Sequence, residues 1–206
     1  MTSSPPQNEE GLTQQEQDFL LGRAPTPEEQ RTERRRPGWL VIGMVWATFG
    51  LYVIVWIGLH WAEMKRELKD DRMYPAWHAL AMLVPIYSFF RFHSNFRVLN
   101  EMLETTRSQH RISPMMAVGT FILASLLVAV PIEDTVLRTL NMIAAVAAIS
   151  WTIYYGQTGM NAYWDSVSHI RTTAVVKLWE RLLIAFGAAM WSLVVLGMFI
   201  ESAALA

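Results

Sequence analysis

The chain has 206 residues, 52% hydrophobic and 12% aromatic, with a mean hydropathy of +0.22 and only 17% charged residues, against roughly 25% charged in an average soluble domain. A formal net charge of -1 excludes the gathered basic excess that phosphate backbones require, so no nucleic-acid partner is expected. The absence of cysteine excludes disulfides, thiolate metal sites and cysteine nucleophiles together.

Residues 1–37 are rich in Pro, Gln, Glu and Arg. Such a stretch cannot bury enough apolar surface to offset chain entropy, and a disordered cytoplasmic tail is expected there. No secretory signal peptide is expected, because the first apolar run begins near Trp39.

From residue 38 to 206 the expectation is an all-α integral membrane domain of about five transmembrane helices with interfacial amphipathic extensions. The spans fall at about 38–62, 75–92, 114–132, 138–156 and 179–200. The first carries no charge over more than the roughly 20 residues that cross a bilayer. The second is the shortest before its first charge, Arg91, and holds Pro85, which removes a backbone hydrogen bond and predicts a kink. Continued past Phe90, that helix places Phe89, Phe92, Phe96, Leu99 and Leu103 on one side and Arg91, Asn95 and Arg97 elsewhere. Its apolar part would then end by snorkelling of the arginines into the interface.

Lys and Arg counted by loop favour a cytoplasmic amino terminus, twelve inside against five outside. The loop from Glu63 to Tyr74 is the misfit, because Lys65, Arg66, Lys69 and Arg72 fall outside. In a second arrangement Pro75 to Phe90 is a re-entrant hairpin, the amino terminus is outside, and the count is eleven to six. Gly43, Ala47 and Gly50, Ala144 and Ala148, and Ala185 and Ala189 form small-residue faces for close helix packing. Trp39, Trp61, Tyr74, Trp77, Tyr163, Trp164 and Trp179 are expected as interfacial anchors.

No nucleotide-binding, Gly-x-Ser-x-Gly or His-Glu-x-x-His motif occurs. No cofactor, metal site or catalytic residue is therefore expected. Buried ionisable and polar groups are the remaining pointers. They give His60, Glu63, His78, Tyr87, Arg91, Asn95, Arg97, Gln157 and Asn161 as candidates for a polar path or a lipid contact.

Gly50-Leu51-Tyr52 with Trp56, then Pro85-Ile86-Tyr87, Ser113-Pro114, Gln157, and Asn161-Ala162-Tyr163-Trp164 form a pattern over about residues 38–166. It resembles a family of small bacterial multi-pass membrane proteins catalogued as a domain of unknown function. The resemblance implies a bacterial inner-membrane location and no reaction. The long arginine-capped tail and the fifth span depart from it.

The function expected is a non-catalytic scaffold or accessory subunit of a membrane complex. Its partners would be the lipid bilayer, anionic lipid, and a membrane protein or a second copy of the chain, met through the basic tail and the Arg91 to Arg111 stretch. The alternative is a small transporter or channel with a polar path near Pro85, Arg91 and Asn161. A lipid-modifying enzyme would require His60, Glu63, His78 or His93 to converge.

Overall fold

The structure, a computed structural model, describes residues 32–106, 108–167 and 171–204. The described residues form seven α-helices and one pair of short strands. The expected tail over 1–37 lies outside the described residues up to residue 31, but its last part is ordered. Thr32–Arg34 (β1) pairs in parallel with Arg171–Thr173 (β2), with Thr32 opposite Arg171 and Arg34 opposite Thr173.

The first apolar run does not form one helix. Gly38–Ala47 (α1) ends at a tight turn in which Phe49 and Gly50 take φ of 50° and 90°, and Tyr52–Leu68 (α2) starts afterwards. Gly50 supplies the left-handed conformation at little steric cost, and its amide donates back to the Val45 carbonyl at 2.8 Å. The chain then returns the way it came. A continuous helix would hold residues 36 and 63 about 40 Å apart, yet Arg36 Nη2 donates to Glu63 Oε1 at 2.6 Å.

The second apolar run is a hairpin too. Pro75–Leu80 (α3), prolonged by a 3₁₀ turn over Ala81–Leu83, runs back along α2, with Ala79 against Gly58 and His78 stacked on Trp61. Pro85 and Ile86 then reverse the direction. Ile86 has φ of 66° and ψ of -51°, and the Tyr87 amide donates to the Pro85 carbonyl at 2.7 Å, the signature of a γ-turn. Tyr87–Thr105 (α4) climbs beside α2. The apolar stretch is therefore not one continuous span: it reverses at Pro85 and Ile86, and Arg91 and Arg97 follow on α4 beyond the turn. Asn95 also departs from expectation: it is buried with Phe92, Phe96 and Leu99, facing the core.

Three further helices support the two hairpins. Pro114–Ala129 (α5) is capped by the Ser113 hydroxyl, which accepts from the Met116 amide at 3.2 Å. Thr135–Ser166 (α6), capped by Asp134, packs along α5, and Leu178–Ala204 (α7) packs on α1. Only α6 and α7 are long and apolar enough to cross a membrane, so five such helices are not found among the described residues; α5, with 16 residues, is a shorter apolar helix. Of the expected small-residue faces, the one on α1 packs within the chain, whereas Ala144, Ala185 and Ala189 are exposed. Gly187 lies directly against Ala47, and Gly43 against Ile184, so α1 and α7 approach closely.

The core is aromatic and lies between α2, α4, α5 and α6. Trp56, Phe92 and Phe96 are fully buried, and Phe92 stacks on Phe121 with centroids 4.6 Å apart. Trp61, Tyr163 and Trp164, expected at interfaces, are buried as well, whereas Trp39, Tyr74, Trp77 and Trp179 are exposed.

Candidate functional site

The predicted site residues separate into two clusters. The first is a buried polar belt where the open ends of the hairpins meet α6. Trp56 Nε1 donates to Gln157 Oε1 at 3.0 Å, Gln157 Nε2 donates to Asn161 Oδ1 at 3.0 Å, and Asn161 Nδ2 donates to the Arg36 carbonyl at 2.8 Å. Gln157 and Asn161 reach one another because they are four apart on α6. Next to them, His60 stacks on Trp56 and its Nδ1 lies 2.8 Å from Asn95 Oδ1.

Above this chain sit the ion pairs. Arg36 and Glu63 are both buried, while Arg34 pairs with Glu180, and Arg66 with Glu33 at 2.6 Å. Burial works against the charge on Arg36, but the Glu63 carboxylate beside it holds the guanidinium above its ordinary value. Burial likewise pushes the Glu63 carboxyl up, against the opposing pull of Arg36. Arg36 Nε and Nη1, Glu63 Oε2 and His60 Nε2 have no hydrogen-bond partner. Arg34 and Arg36, read in the sequence as topology signals at the end of a tail, are thus built into the fold. Their abrupt position before Gly38 is the only sign of this in the sequence.

The second cluster is an open groove of about 520 Å³ formed by α3, the 3₁₀ turn and the start of α4. It brings together His78, Tyr87 and Arg91 from the predicted set and adds Arg72, Tyr74 and Trp77. Arg91 Nε donates to Tyr87 Oη at 2.7 Å, and the guanidinium lies 4.9 Å from the centre of that ring. Arg97 joins neither cluster. It is exposed, 3.7 Å from Glu101 on its own helix.

No group of three or more His, Asp or Glu side chains among the described residues is arranged to hold a metal ion. His60 and Glu63 belong to the belt, whereas His78 stacks on Trp61 beside the groove. Comparison with protein-family models, curated proteins and solved structures finds no match to this chain.

Proposed function

We propose that this chain is a multi-pass membrane protein without catalytic activity, acting as a scaffold or accessory subunit of a membrane complex. In place of five spans, the long helices α6 and α7 cross the bilayer, the 16-residue α5 crosses beside α6 where the bilayer thins to match its shorter length, and the α1–α2 and α3–α4 hairpins dip in from the side of the amino terminus. The observation that carries this reading is the placement of charge. Among the described residues, Arg138 is the one Lys or Arg at the end where α5 joins α6. Arg34, Arg36, Lys65, Arg66, Arg72 and Arg111 all lie towards the opposite end.

That asymmetry favours a cytoplasmic polar end, with the amino terminus inside. It also removes the misfit of the basic loop between Glu63 and Tyr74. The sequence resemblance is part of the same proposal and makes the membrane a bacterial inner membrane. The belt favours a structural role over conduction, because Trp56, Gln157, Asn161, His60 and Asn95 spend hydrogen bonds on one another. A conduit would leave such groups facing a continuous wet path.

The test is purification of the full chain in mild detergent with mass spectrometry of what travels with it, beside a variant lacking residues 1–31, which keeps β1. A stoichiometric protein partner that is lost with the truncation is the expected result. A homogeneous particle without a protein partner, which passes a solute in proteoliposomes, overturns the scaffold in favour of a transporter.

A further inference from the structure

The groove beside α3 contains a cation, Arg91, that has no carboxylate partner among the described residues. Buried or half-buried arginines elsewhere have carboxylates: Arg34 has Glu180 and Arg36 has Glu63. Arg91 is half-buried, and among the described residues its polar contacts are to the Tyr87 hydroxyl. Near it, His78 is stacked flat on Trp61 at 4.0 Å, and its Nδ1 is buried without a partner. Apart from Arg72, an exposed rim residue whose guanidinium is paired with Asp70 at 3.0 Å, the remaining walls are apolar or aromatic, with Trp77 70% and Leu80 52% exposed.

The level of this groove in the bundle matters. Phe92, next to Arg91, is in the same ring cluster as Trp56, and Trp56 bonds to Gln157. At Gln157 the sequence of α6 changes from the apolar run 140–156 to the polar run 157–166. Phe92 also stacks on Phe121 in the middle of α5, so the guanidinium lies between that level and the one at which α6 passes from hydrocarbon to headgroups, and its planar fork suits phosphate oxygens. A ligand for this groove needs an anion at one point and apolar surface around it.

We propose that the groove binds an anionic phospholipid, with Arg91 holding the phosphate, Arg72 at the rim, and Trp77 and Leu80 against the glycerol and upper acyl chain. This rests on the membrane reading above and adds a specific lipid site to it. Loose attraction of basic residues to an anionic leaflet would not single out one arginine.

The experiment is native mass spectrometry of the full chain in neutral detergent, titrated with phosphatidylglycerol or phosphatidylcholine. Parallel samples contain inorganic phosphate. The expected result is preferential retention of phosphatidylglycerol, weakened about tenfold in Arg91→Gln, as loss of a charge-assisted hydrogen bond implies. Inorganic phosphate should not displace the lipid. Leu80→Trp, which fills the groove and leaves its charges in place, should lower retention similarly. Equal retention by the original chain and both variants, at unchanged thermal midpoints, overturns the site, and so does displacement by inorganic phosphate alone. Carbonate extraction of the same chain from vesicles separates the two readings. A chain that resists extraction but shows no lipid preference loses only the lipid site, and one that is extracted loses the membrane reading.

Discussion

Arg36 and Glu63 are 27 residues apart in the chain, and the guanidinium of one donates to the carboxylate of the other at 2.6 Å with both side chains under a tenth exposed. The pair closes the open end of the first hairpin and ties β1 to α2. Removing one partner leaves the other buried and uncompensated, so Arg36→Leu or Glu63→Gln should lower stability by about 3–5 kcal/mol. The pair is also incompletely satisfied, since Arg36 Nε and Nη1 and Glu63 Oε2 lack partners. The combination Arg36→Met with Glu63→Leu should therefore recover most of the loss. Thermal unfolding of the four proteins in one detergent checks this, and a double variant as unstable as the sum of the singles refutes it.

Gly187 sets how closely α7 approaches α1. A Cβ at this position would overlap the backbone of Ala47, whereas one at Gly197 would meet nothing within 4 Å. Gly187→Ala should cost roughly 1–3 kcal/mol as the helices are forced apart. Gly197→Ala should be neutral or stabilise by up to about 1 kcal/mol through reduced chain entropy. Comparing the two thermal midpoints isolates packing from helix propensity, and equal shifts would count against the close contact.

Ile86 has a branched Cβ at φ of 66°, in a turn that ordinary L residues seldom adopt, and its side chain is 68% exposed. Little packing is lost if it is removed. Ile86→Gly should relieve the strain and raise stability by about 1 kcal/mol after the entropy cost of glycine. A lowered midpoint would mean that the reversal at Pro85 is held differently.

The helical class and the apolar runs could be read from the sequence because charge and hydropathy change sharply at Gly38, Arg91, Pro114 and Arg181. Chain direction could not, because hydropathy does not register a reversal. Thr48-Phe49-Gly50-Leu51 is apolar enough to pass for the middle of a span, and Gly50 is its one local sign of a turn. The same holds at the site. His78, Tyr87 and Arg91 meet in the groove because the chain reverses at Pro85 and brings the start of α4 beside the 3₁₀ turn that ends α3, which spacing along a single helix does not predict. The basic residues between Lys65 and Arg72 were the better clue, since they sit badly on any side but that of the amino terminus.

That clue yields the sharpest test. The chain has no cysteine, so single introduced thiols report their own side of the membrane without background. Asp71 is fully exposed in the turn between α2 and α3, Gln109 is exposed between α4 and α5, and Glu133 is exposed between α5 and α6. With two hairpins that return to the side they came from, Asp71→Cys and Gln109→Cys should resist an impermeant maleimide in intact cells and react after permeabilisation. Glu133→Cys should react in both. Five spans make a different demand, because the loop at Asp71 would then share the outer side with Glu133. Labelling of Asp71→Cys together with Glu133→Cys in intact cells would show that α1 and α2 form one crossing, and would be incompatible with the direct bond between Arg36 and Glu63. Protection of Asp71→Cys with labelling of Glu133→Cys would place both hairpins on the cytoplasmic side, where the paired arginines meet the anionic leaflet.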